Sequence, residues 1–223
     1  MVDQWNFTIQ ELQHVPSVAS GAMDVAEERK QRIYGCTFIQ ATGCRLELPQ
    51  LTISTAMVYF HRFFSRESFN NHRYEHIAAT CIYLACKVEE SSRRPSDVAE
   101  ACIQYRASSR SNHNENNPKI QRWRRAILSN EHLLLDILCF DFTVEHPYQS
   151  LLQFAEELGT PENTLQAAWA FVNDSLRLIL CLLYEPHLIA AGCLLLAYRL
   201  NNKQFPVDGD FGKMMEDNYE ALQ

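Results

Sequence analysis

Ten residues recur in this chain: the segment Ile77 to Cys86 returns 112 positions later as Ile189 to Tyr198, with Ile-Ala-Ala opening both copies and no charge inside either. The match extends upstream at the same offset, where Ala56 to Phe60 faces Ala168 to Val172, so it is an internal repeat rather than chance recurrence in an apolar run. A helix that is apolar on every side has to be enclosed by other helices, and two such helices predict two helical domains, each enclosing one of them. The copies part at their ends, where Lys87 stands against Arg199.

A chain of 223 residues gives each domain roughly 110 residues, enough to bury a core. Hydrophobic residues make up 47% and glycine only 7 positions, which disfavours long disorder and all-β architecture alike. The expectation is an all-α chain.

A formal net charge of -7 repels a phosphate backbone, so the ligands expected are proteins rather than nucleic acid. The eight cysteines contain no Cys-x-x-Cys pair, and several fall inside apolar helical runs, as small core residues do in a reducing compartment. Met1 to Asn6 has neither a basic nor an apolar signal region, and the apolar run Leu178 to Tyr184 is far too short for a bilayer. No membrane association is expected, and the location read from these features is a reducing compartment, the cytoplasm or the nucleus.

Prolines mark helix starts, because a missing N–H costs nothing in a first turn. Pro49, Pro118, Pro147, Pro161 and Pro186 each precede an apolar-periodic segment, with Asn117 and Thr160 as N-caps and Thr8 with Glu11 at capping-box spacing. The helices predicted are 23–43, 50–66, 72–90, 96–106 and 118–138 in a first domain and 147–158, 162–183 and 187–200 in a second. Domain limits follow as 1–22 for an N-terminal extension with a short helix, 23–142 and 143–223. The polar stretch 107–117 reads as an exposed, mobile loop. The second domain reads as minimal or truncated, with 209–223 supplying at most one further helix.

Trp123, Ile127, Glu131, Leu134 and Leu138 share one face of the fifth helix, which puts a carboxylate on an apolar stripe. Lys87 closes the otherwise uncharged first repeat copy. A half-buried charge costs several kcal/mol, as an order of magnitude, unless paired. Two arrangements satisfy both residues: an internal Lys87–Glu131 bridge that only positions helices, or a pair at a surface that another protein completes.

Rival signals are weaker. His72 and His76 have the i, i+4 spacing of metal ligands, but no third ligand lies near and the Glu of a His-Glu-x-x-His site is missing. The run Arg122, Arg124, Arg125 reads as a solvated helix face around an inward Trp123. No phosphate-cradling glycine loop or nucleophile motif appears, so no catalytic residue, cofactor or metal is expected.

Two motifs together carry a resemblance. Leu84-Ala85-Cys86-Lys87-Val88-Glu89-Glu90, followed 44 residues after Lys87 by Glu131-His132-Leu133-Leu134-Leu135 and on to Phe142, resembles the cyclin box. Within cyclins, Thr55 to Phe63, Val144 to Gln149 and Phe171 to Leu176 resemble the transcriptional branch, of the cyclin K type. The resemblance covers about residues 5–200 and implies the cyclin fold, two tandem five-helix repeats, and a non-catalytic activating subunit of a cyclin-dependent kinase. The substrate of that complex would be the C-terminal repeat domain of RNA polymerase II, and a third subunit is left open. It also implies that Lys87, Val88, Glu89, Glu131 and Phe140 bind the kinase near its C-helix. The mitotic substrate-docking pattern on the first helix is replaced here by Arg32 to Ile39, so Arg-x-Leu docking is not expected. Two alternatives remain from the sequence: a general-transcription-factor core of cyclin-like repeats, which would be basic and zinc-bearing, and a kinase-independent scaffold.

Overall fold

The computed structural model describes residues 4–106 and 117–205; the loop expected at 107–117, apart from Asn117, and the helix expected within 209–223 lie outside them. Among the described residues every regular element is helical. The chain divides into two compact units, Phe7–Val144 and Glu145–Gln223 with Met1–Asn6.

The first unit opens with two short helices, α1 (Ile9–Leu12), which carries the Thr8–Glu11 capping box, and α2 (Pro16–Ala19). Five longer ones follow: α3 (Val25–Arg45), α4 (Gln50–Arg66), α5 (Tyr74–Val88), α6 (Pro95–Arg106) and α7 (Pro118–Ile137). Asp24 caps α3 through the Glu27 amide, and Asn117 caps α7 through the Lys119 amide. α5 packs against α3, α4, α6 and α7. Its repeat copy is therefore enclosed as its composition demands: every residue from Ile77 to Cys86 except Tyr83 is buried. Alanine, threonine and cysteine at six of these ten positions keep the helix narrow enough for four neighbours.

α3 and α4 touch almost backbone to ring. A Cβ on Gly35 would stand 2.0 Å from the Phe60 ring, and one on Gly43 would stand 2.6 Å from Ile53. Arg32, one turn before Gly35, is buried and paired with Glu28 at 2.6 Å. Its guanidinium also donates to the carbonyls of His61 (3.0 Å) and Phe64 (2.8 Å), the second of them among the acceptors that the end of α4 leaves without helical partners. Nη1 lies 3.3 Å from His61 Nδ1 as well. Since arginine only donates, Nδ1 accepts and the ring hydrogen sits on Nε2, 3.3 Å from Cys36 Sγ.

In the second unit, α8 (Pro147–Glu157), α9 (Glu162–Ser175), a 3₁₀ turn (Ile179–Leu182) and α10 (Pro186–Leu200) repeat the order in brief. The sequence repeat equates α4 with α9 and α5 with α10, and each pair packs together within its unit. Trp5 is buried here, on the N-terminal segment that belongs to this unit.

Four expectations need correction. The helix expected over 162–183 stops at Ser175, whose hydroxyl donates to Val172 O at 2.8 Å, and Leu178 is extended. Leu176 and Leu182 are both buried, yet on one helix residues six apart stand about 120° apart around the axis, so the break lets both reach the core. Thr160 is not the cap of α9, which is Pro161; its hydroxyl accepts from Tyr198 instead. The second repeat copy is less enclosed than the first: α8, α9 and the 3₁₀ turn pack on α10, and Leu196 is half exposed. His72 precedes α5 rather than lying on it, so it does not share a helix face with His76. His72 meets Phe63 and Glu67, while His76 meets Trp123.

Candidate functional site

Lys87 sits in the last turn of α5, where a cation suits the helix dipole. Its ammonium donates to Glu131 Oε1 on α7 at 2.5 Å and lies 4.3 Å from the centre of the Tyr83 ring, one turn back. Burial alone would lower the lysine's affinity for its proton, but hydrogen bonding and charge from Glu131, then Tyr83, hold it above the ordinary value. The pair is not a core bridge: 44% of the lysine side chain and 17% of the glutamate side chain are exposed. Both therefore keep polar capacity toward solvent. Val88, next to the lysine, is exposed as well.

α5 ends on Glu89, with Glu90 in the left-handed region (φ 53°). The Thr55 hydroxyl of α4 donates to Glu89 Oε1 at 2.7 Å, and the hydroxyls of Thr52 and Ser91 bond to each other at 3.0 Å. Arg93 donates to Leu46 O, which anchors the rest of this turn to the end of α3.

α7 ends in a Schellman motif: Cys139 N–H donates to Asp136 O at 3.0 Å and Phe140 N–H to Leu135 O at 3.1 Å. Glycine usually fills the left-handed position of this motif, but here Cys139 (φ 52°) and Phe140 (φ 56°) both adopt it. The Phe140 side chain is 63% exposed. The linker that follows is tied to α4. Tyr59 donates its hydroxyl to Phe142 O at 2.8 Å, and Arg62 donates to Asp141 O at 3.3 Å and Thr143 O at 3.1 Å. Arg66 Nη1 reaches both Ile137 O and Cys139 Sγ at 2.9 Å.

Of the five residues singled out from sequence, Lys87 and Glu131 are brought into contact and Val88 adjoins them. Glu89 and the turn at Phe140 are instead held from α4, Glu89 by the Thr55 hydroxyl and the residues on either side of Phe140 by Tyr59 and Arg66. Sequence reasoning missed Tyr83, although its i−4 spacing from Lys87 was a readable signal. It also missed the α4 stripe Thr52, Thr55, Tyr59, Arg62, Arg66, whose three- and four-residue steps place polar groups on one face of an apolar helix. The arginines 122, 124 and 125 are exposed around Trp123, which stacks on Phe38. Among the described residues no group of three or more His, Cys, Asp or Glu side chains could hold a metal, and no helix is long and apolar enough to cross a membrane.

Residues 4–143 match the family "Cyclin, N-terminal domain". Cyclin pch1 of Schizosaccharomyces pombe is 43% identical over 201 residues, covering 89% of this chain and 58% of that protein. Cyclin-T1-2 of Oryza sativa subsp. japonica is 39% identical over 212 residues, 92% of this chain and 33% of its own length. The chain thus spans about a third to three fifths of the lengths of these relatives. A chain of the yeast RNA Pol II CTD kinase CTDK-1 complex superimposes with a TM-score of 0.77 at 19% identity, covering 92% of this chain and 66% of that one, a likeness of fold. The chain belongs to the cyclin family.

Proposed function

We propose that this chain is the activating subunit of a transcriptional cyclin-dependent kinase that phosphorylates the C-terminal repeat domain of RNA polymerase II in the nucleus. The observation that carries this reading is the Lys87–Glu131 pair, two charges held together toward solvent with Val88 next to the lysine, while Phe140 is exposed after the end of α7. An ammonium and a carboxylate so placed offer a donor and an acceptor to a partner's backbone, while exposed apolar side chains bury against it. The cyclin T-type relatives and the fold of the CTD-kinase complex support the transcriptional branch.

Activation then works as a population shift. The kinase C-helix is held inward because only its inward state completes contacts with the ends of α5 and α7, and a ligand shifts an equilibrium by its differential affinity for the two states. Glu89 and Phe140 extend that surface, and the chain supplies no catalytic group.

The test is a reconstitution. The purified chain should hydrolyse no ATP, and it should raise the rate at which the cyclin-dependent kinase that copurifies with it phosphorylates a polymerase heptad-repeat peptide. ATP turnover by the chain alone, or the absence of any responding kinase, overturns the proposal and favours a kinase-independent scaffold.

A further inference from the structure

Left-handed backbone at two consecutive non-glycine residues is strained and persists only where the surroundings over-determine it. Cys139 and Phe140 are such a pair, and α4 supplies the surroundings. Tyr59, Arg62 and Arg66 stand at steps of three and four on one face of α4 and between them bind four carbonyls and one sulfur of residues 137–143. The bonds flank the strained pair on both sides: Ile137 before it, Cys139 within it, and Asp141, Phe142 and Thr143 after it. The Phe142 ring adds edge contacts with Tyr59 and Phe140. The same face of α4, two turns earlier, holds Glu89 and Ser91.

We infer that Arg66 and Tyr59 are positioning residues for the partner surface: they hold the turn after α7 in the conformation that presents Phe140 to the kinase. This rests on the kinase-binding reading above. A free Cys139–Phe140 turn would populate extended backbone, and the fraction of chains presenting the ring would fall, reducing apparent affinity by that fraction. Thr55 acts on Glu89 in the same way, so one helix that is itself buried sets two parts of the surface.

The experiment is a double-mutant cycle on the full chain, titrated against the recombinant form of the kinase that copurifies with it. Arg66→Ala and Phe140→Ala are measured singly and together, with Arg66→Lys as the conservative variant, since lysine retains a donor for Ile137 O. Arg66→Ala should weaken binding by about tenfold, within the usual coupling range for groups sharing one network, and should add nothing once Phe140 is alanine. Arg66→Lys should recover part of the loss. Tyr59→Phe removes only the hydroxyl that binds Phe142 O and should repeat the effect in smaller measure, which keeps the test available if Arg66→Ala folds poorly. Additive losses, or unchanged affinity in both Arg66→Ala and Tyr59→Phe, overturn the positioning role while leaving the kinase reading intact. If the wild-type chain binds no kinase, the functional proposal itself fails and this inference goes with it.

Discussion

Glu28 and Arg32 are ion-paired at 2.6 Å with 3% and 1% of their side chains exposed, one turn apart on a helix whose guanidinium reaches across to the end of the next. That pair belongs to the fold, whereas Lys87 with Glu131 stands at the surface, and the two should respond to mutation in opposite ways.

Replacing Arg32 by Met leaves a buried carboxylate and the His61 and Phe64 carbonyls without their donor. Loss of one member of a buried pair costs about 3–5 kcal/mol, so urea unfolding should show a loss of that size. Kinase affinity among molecules still folded should be unchanged.

Lys87→Ala or Glu131→Ala should instead leave thermal stability within about 1 kcal/mol, because exposed ion pairs contribute little. Each should weaken the kinase complex by about 2–5 kcal/mol, the range for one partner of a charge pair desolvated at an interface. Circular dichroism melting with a binding titration separates the two, and stability loss with retained affinity would assign the pair to the fold.

Alkaline pH should destabilise the protein in two stages. Burial pushes the thiols of Cys81, Cys86 and Cys102 up from the ordinary 9.0, and Cys193 to about 12. Such groups keep their protons in the folded state while the unfolded chain loses them, so stability falls as pH rises above the unfolded value. Lys87 is also raised, from 10.5, and its contribution is whole below that value and lost only as pH climbs through the folded one. The first loss should therefore begin near pH 9 and come from the cysteines. Urea midpoints from pH 7 to 11 measure it. Iodoacetamide on the native protein at pH 8 should label the exposed Cys44 and Cys139 well before the buried five.

The second repeat has Arg199 where the first has Lys87. A fragment of residues 1–146 should retain kinase binding in a pull-down, and one of residues 147–223 should not. Binding by the latter alone would move the partner surface to the second unit.

Much of the first unit was legible because its helices carry local punctuation. Prolines and the Asn117 cap put the starts of α4 and α7 within one residue. Lys87 and Glu131 stood out because a charge on an apolar stripe contradicts its surroundings. The break after Ser175 was invisible, since Leu176 to Leu183 is apolar apart from Arg177, has no Gly or Pro, and only tertiary packing of Leu182 sets the kink. The left-handed turn at Cys139 and Phe140 was hidden for a related reason: the residues that impose it lie some 80 positions earlier, on α4. The exposed Leu196 was missed because apolar composition reports what a helix can bury, not how many neighbours it has.

Trp5 precedes the whole first unit in the chain, yet the segment it belongs to is part of the second. Its segment is synthesised before the first unit, and the rest of its own unit is synthesised after it. The first unit can complete itself during synthesis, since domains fold as units in order of emergence, while the second needs both the segment before Phe7 and the one after Val144. Trp5→Ala should accordingly slow or destabilise the last step of maturation and spare the first, leaving a chain whose first-unit helices are formed while α10 remains open to proteolysis.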